Sequence, residues 1–271
     1  LVAALYFRHK RFAALRAGTP ETNGTAIAAP RVLTAWLLMV ALAGISLALL
    51  LTVTRASQLA FVISAALIVL LGAGRKWFIA AVAVGLPIML VGLIFLQQSR
   101  QVGFFDSNDD SIKWRETVWH EGFDLWTASP RHVMVGVGMD TIKRYAKEWH
   151  LFDDGRLPMG HFHSMPLQLL VERGLPALLL WIFILFVYFR ILWRGLRTAR
   201  ESSEPDWRRT GILLGCIGGA LGIVSSGMVH YNIGDQEVAM VFFLLMGLGL
   251  RSAVGEMQVK ENYKPNIRVT G

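Results

Sequence analysis

Five long stretches of this chain carry no Asp, Glu, Lys or Arg: Thr34–Thr54, Ala56–Gly74, Trp77–Leu96, Gly174–Phe189 and Thr210–Val229. A helix needs about 20 mostly apolar residues to cross the hydrocarbon core of a bilayer. Three of the five runs reach or nearly reach that length, and Gly174–Phe189 does so if it extends back through Pro166–Val171. Val238–Leu250 is a shorter, marginal sixth candidate. In lipid every backbone polar group must be satisfied within the segment, so these runs are read as helices rather than strands. The expected fold is therefore all-α: a polytopic membrane helix bundle. Composition agrees, with 54% hydrophobic and only 17% charged residues in 271.

The formal net charge of +8 matters less than its placement. Arg8–Arg16, Arg75-Lys76, Arg190–Arg209 and Arg251–Arg268 are basic, whereas Gln97–Met165 holds ten acidic residues against eight basic. Short basic loops mark the cytoplasmic side, and assigning them so makes every alternation consistent. Residues 1–33 are then the end of an earlier span and a cytoplasmic loop, and 34–96 three membrane helices. Residues 97–165 form a large, mostly helical periplasmic loop, 166–250 two to three further helices, and 251–271 a cytoplasmic tail. The opening Leu1–Phe7, apolar and followed by Arg8-His9-Lys10-Arg11, reads as the tail of a preceding span, so a fragment lacking N-terminal spans is expected. Basic loops of this kind hold topology and touch anionic lipid; they call for no nucleic acid. Cys216 is alone inside a span, which gives no disulfide framework and no cysteine metal site.

The outer segment is the one place for a water-exposed site, and it holds five of the seven histidines. Within it, "WRETVWHEGFDLWT" (114–127) has apolar residues near helical spacing and reads as an amphipathic helix lying on or near the membrane, with Trp114, Trp119 and Trp126 at the interface. "SPRHVMVGVGMD" (129–140) reads as a turn around Pro130, Gly136 and Gly138, and Thr141–Trp149 as a second short helix. "GHFHSMPLQLLVERGLP" (160–176) brings His161 and His163 to the point where the chain re-enters the membrane. A lone His-x-His supplies two of the four ligands a closed zinc site needs. The alternatives are a structural histidine at a loop–helix junction, or a general base whose ordinary pKa of about 6.5 suits proton abstraction near neutrality. Glu172 and Arg173 interrupt the following apolar run, pairing with each other or shaping the site. Arg55 and Arg115 each read as a surface arginine, snorkelling in the first case, or together as a clamp for a pyrophosphate, which the planar guanidinium suits. The segment "HYNIGDQEV" (230–238) reads mainly as a polar loop that could line the cavity.

Three stretches, in this order, resemble the O-antigen ligase and polymerase superfamily of bacterial membrane proteins. "LLLTVTRASQLAF" is similar to its membrane-embedded Thr-x-[Ser/Thr]-Arg segment, "WRETVWHEGFDLWTASPRHVMVGVGMDTIKRY" to its Arg…Trp…Pro…Gly-x-Gly loop entry, and "HFHSMPLQLLVERGLPALLLW" to its His-[Asn/Ser]-x-x-Leu-Gln…Glu-x-Gly segment. Ala56, Pro166 and Pro176 depart from the usual residues. The resemblance implies a glycosyltransferase of the bacterial inner membrane, without metal or other cofactor, with its active site facing the periplasm. It would pass a glycan from undecaprenyl diphosphate to an acceptor hydroxyl, the lipid A core for a ligase or another glycan for a polymerase. On this reading Arg55 and Arg115 hold the diphosphate, His163 is the catalytic base, and His161, Glu172 and Arg173 are its neighbours. A non-catalytic transporter or binding protein for lipid-linked glycan would account for the spans and arginines but leaves His163 without a role.

Overall fold

The computed structural model describes residues 25–52, 54–76, 110–201 and 206–254, with scattered positions between 78 and 87. The expected earlier span at residues 1–24, most of the Trp77–Leu96 run, the start of the outer segment and the tail lie outside the described residues. So does the side chain of Arg55.

Every regular element among the described residues is helical. They are α1 (Thr25–Leu51), α2 (Arg55–Ala73), α3 (Asp110–Thr127), α4 (Pro130–Val135), α5 (Thr141–Tyr145), α6 (Leu151–Gly155), α7 (Met165–Glu201), α8 (Trp207–Gly227) and α9 (Gln236–Val254), with a 3-10 turn at Asn232–Gly234. Four stretches, Ala56–Ala73, Met165–Glu201, Arg208–Gly227 and Gln236–Val254, are long and apolar enough to cross a membrane. The marginal run near the C-terminus is thus part of a full-length helix. Large apolar side chains such as Leu180, Phe183, Phe243 and Leu244 stand exposed on these helices, an arrangement that suits lipid and not water. The chain is an all-α polytopic membrane protein.

Small residues let the spans approach closely, as expected where lipid tails offer no hydrophobic drive for association. The Ser64 hydroxyl donates to the Gly218 carbonyl at 2.6 Å, and Ala60 lies by Gly222, so α2 and α8 run antiparallel. Gly249 lies against the Tyr188 hydroxyl and Gly195 against Ala253, which sets α7 and α9 parallel. The Arg209 guanidinium donates to the Ser252 and Ala253 carbonyls at 2.8 and 3.0 Å, satisfying acceptors that the end of α9 would leave unpaired. These pairings put the starts of α2, α7 and α9 and the end of α8 at one end of the bundle. Arg75-Lys76, Arg197, Arg200, Arg208 and Arg251 fall at the other.

Between the spans, α3 to α6 form a small unit with its own core of Val118, Ile142, Ala146, Leu151, Phe152, Phe162 and Val171. Trp114, Trp119 and Trp126, each half-exposed, pack against this core. Two of the indoles also find partners inside the unit. Trp119 Nε1 donates to the Phe162 carbonyl at 2.7 Å and Trp126 Nε1 to that of Val133 at 3.4 Å. The stretch 129–140 is only partly the expected turn. Pro130 occupies the first turn of α4, where its missing N–H costs nothing, and the Ser129 side chain caps that helix by accepting from His132 N–H. Phe152, Asp153 and Asp154 adopt left-handed backbone angles (φ 59°, 53° and 56°). The Glu121 carboxylate holds that unusual turn, accepting the amides of Phe152 and Asp153 at 2.6 and 2.9 Å.

This unit is joined to α7 where α7 is itself broken. Gly174 has φ 78°, in the left-handed region that favours glycine, and Pro176 follows it with no amide hydrogen to give. The carbonyls of Val171 and Glu172 are therefore released from the helical ladder. The amides of Val137 and Gly138 take them, at 2.9 and 3.0 Å. Gly136, with φ 74°, sits directly on the Glu172 backbone, and Gly174 directly on that of Met134; a Cβ on either would collide with main-chain atoms. The Pro176 that departs from the family pattern thus has a structural role at this junction.

Candidate functional site

His163 follows the loop unit and precedes α7, and its backbone is left-handed at φ 46°. Its ring lies in a cluster of aromatic and imidazole rings. Trp114 meets it edge-on with centroids 4.7 Å apart, His161 lies 4.1 Å away, and His230 lies 6.1 Å away. Tyr231 in turn sits 5.7 Å from His161. The His161 ring nitrogen Nδ1 accepts the His163 amide at 3.3 Å. His163 Nδ1, His230 Nε2 and Trp114 Nε1 are buried, with no hydrogen-bond partner among the described residues. Buried polar atoms normally have partners, so three unmet ones in a single cluster make this the candidate site.

The electrostatics follow from burial beside a fixed cation. Desolvation first, then His161, the Arg115 guanidinium and His230, push the His163 imidazole down to about 4. Burial likewise lowers His230, with help from Arg115 and His161, and lowers His161, with help from Lys143. At neutral pH the imidazoles are neutral, and Arg115 supplies permanent positive charge.

The residues singled out in the sequence divide as follows. His163, His161 and Arg115 come together, Arg115 being next to Trp114 on α3. Glu172 is 6% exposed and acts on the cluster through Tyr231, whose hydroxyl is held in the neutral form by burial and, next, by the Glu172 charge, while accepting the Gln168 amide at 2.9 Å and the Asp140 backbone amide at 3.2 Å. Arg173 reaches Met139 Sδ at 3.2 Å and also lines an otherwise apolar cavity of about 220 Å³ with Tyr231, Met165, Leu169, Trp181 and Phe242 among its walls. Arg55 begins α2, whose antiparallel packing on α8 sets its backbone at the same end of the bundle as His230. Among the described residues no group of three His, Cys, Asp or Glu is arranged to hold a metal ion. His230 and Tyr231 join the site more fully than a polar loop would suggest. Their signal was a polar ring pair immediately after an apolar run, at the same end as His163.

A helical membrane bundle carrying a loop unit that closes a histidine- and arginine-lined site over its end is the class of protein this geometry defines. The family described as O-antigen ligase matches residues 37–182, more than half of the chain, and the chain belongs to that family. Its members are glycosyltransferase-like membrane enzymes, ligases and polymerases, acting in general on lipid-linked glycans and polysaccharide acceptors. No curated protein matches the chain. The matched region ends before α8 and α9, so His230 and Tyr231 lie beyond it.

Proposed function

We propose that the protein is an O-antigen ligase of the bacterial inner membrane that transfers a glycan from undecaprenyl diphosphate to a hydroxyl of the lipid A core at the periplasmic face. The observation that carries this reading is His163: a neutral, half-buried imidazole whose Nδ1 is buried and unmet, in the field of Arg115. Arg115 and Arg55 hold the donor diphosphate, and the cavity beside Arg173 offers apolar walls to the adjoining isoprene units. His163 takes the proton from the acceptor hydroxyl as its oxygen attacks the anomeric carbon. The bond from that carbon to the diphosphate oxygen breaks, and undecaprenyl diphosphate leaves with the electron pair. Developing charge on the leaving oxygen is met by guanidinium donors already in place.

The low pKa of His163 belongs to the free enzyme. Arrival of a diphosphate offsets the Arg115 charge and adds negative charge nearby, which raises the imidazole toward the range of an effective base at neutral pH. No step needs a metal ion.

The test is glycan transfer in membranes supplied with undecaprenyl-diphosphate glycan and either lipid A core or a second lipid-linked glycan. His163→Ala is expected to lower turnover by about 10²–10⁴-fold, the usual contribution of a general base. Undiminished transfer would sink the base assignment. Product on the lipid-linked glycan in place of lipid A core identifies a polymerase. EDTA is expected to leave the rate unchanged; inhibition reversed by zinc would return His161 and His163 to the role of ligands.

A further inference from the structure

Glu172 and Gln168 form a buried polar pair that the proposed chemistry does not use. Both sit on the first turns of α7, at 6% and 3% exposure. The pair is one link in a chain of hydrogen bonds that ends at His163. The Asp140 amide donates to Glu172 Oε1 at 3.2 Å, and Gln168 Nε2 donates to the same oxygen at 2.9 Å. Gln168 Oε1 accepts the Phe162 amide at 3.0 Å. The Phe162 carbonyl accepts from Trp119 Nε1 at 2.7 Å. Phe162 itself is fully buried, and the next residue is His163, held at φ 46°.

The polarity of this chain is set from both ends, because the Phe162 N–H can only donate. An ionised carboxylate can only accept, whereas an amide can present either end. Glu172 and the Phe162 amide therefore agree on which way Gln168 faces, and Glu172 anchors it: its NH2 turns to the carboxylate, and its carbonyl turns to Phe162. With both peptide groups of Phe162 tied down, His163 is kept in a backbone conformation that a non-glycine residue rarely adopts. We infer that Glu172 is a positioning residue for His163, acting through Gln168 and the Phe162 peptide. The inference rests on the reading of His163 as the base. The Asp140 bond adds a second consequence, because it makes the setting of His163 depend on closure of the loop at Gly136–Asp140.

An exchange of the two residues isolates polarity from packing. In Gln168→Glu alone two carboxylates face each other across the pair. In Gln168→Glu/Glu172→Gln every hydrogen bond can be remade. The carboxylate now at position 168 accepts from Phe162 and from the amide now at position 172, and that amide's oxygen accepts from Asp140. The measurements are kcat and KM for undecaprenyl-diphosphate glycan, together with the ring resonances and titration of His163 in histidine-labelled protein, assigned with His163→Ala. Glu172→Ala and Gln168→Glu are expected to lower kcat about tenfold or more, leave KM within about twofold, and displace the His163 resonances. The exchange is expected to return both toward wild type, and Glu172→Gln, which keeps the acceptor oxygen, to lie between. Unmoved His163 resonances in Glu172→Ala overturn the inference, as does an exchanged protein with the wild-type melting temperature but the kcat of Gln168→Glu. A different failure, full transfer by His163→Ala, removes the base assignment while the resonances still report on the positioning.

Discussion

At the scale of single residues, the site sets the permanent charge of Arg115 beside neutral rings. Arg115→Lys keeps the charge and loses the planar fork, so KM for the lipid-linked donor is expected to rise about tenfold, equivalent to about 1.4 kcal/mol of binding; steady-state kinetics on purified enzyme check this. The pH dependence has a definite sign. As the proposed base, His163 would act only when neutral, so activity is expected to fall as pH drops through its pKa. The acid limb of kcat/KM reports the free enzyme and is expected near 4, whereas the limb of kcat reports the complex and lies higher, because the bound diphosphate raises the imidazole. Coincident limbs count against a diphosphate beside His163. His163 and Arg115 were legible in the sequence only through the order of the family's motifs; spacing alone left each with an ordinary structural explanation. His230 and Tyr231 were only faintly legible, as a polar loop that could line the cavity, because a contact across the ends of two spans leaves little local pattern. Glu172 was visible as an anomaly, a carboxylate inside an apolar run, but one of its partners is the backbone amide of Asp140 and so could not be read from side-chain types.

At the scale of elements, the spans were the plainest feature, since an apolar run of about 20 residues has few other uses. The loop unit was harder. Its tryptophans suggested an interfacial helix; that Trp119 and Trp126 also bond inward, to the Phe162 and Val133 carbonyls, could not be read from their spacing. The junction between α4 and α7 makes a sharp prediction. Gly174→Ala forces a β-carbon into the Met134 backbone at a left-handed φ and is expected to cost about 1–3 kcal/mol, read as a lowered midpoint in thermal unfolding of the detergent-solubilised protein. Gly136→Ala is expected to do the same, and the double variant to be non-additive, because the two residues share one contact.

At the scale of the whole molecule, the described helices segregate charge by end. The ring cluster lies where α7 and α9 begin and α8 finishes; the basic residues lie where α7 and α9 finish. With short basic loops inside, the proposed site is expected to face the periplasm. The only native thiol, Cys216, is buried at 1% exposure, so background labelling is expected to be low. A membrane-impermeant maleimide should label Lys147→Cys in cells with a permeabilised outer membrane and Arg197→Cys only after the inner membrane is opened. The reverse pattern inverts the topology.

The hydrogen bonds from Val137 and Gly138 to the freed carbonyls of α7 also decide how the molecule can be taken apart. A soluble fragment ending at His163 would carry the loop helices but leave the 136–140 backbone without its acceptors and the core without Val171. The natural unit of exchange between relatives is therefore 110–174, loop and half-turned helix together, and a chimaera cut at the membrane boundary divides one folded piece in two.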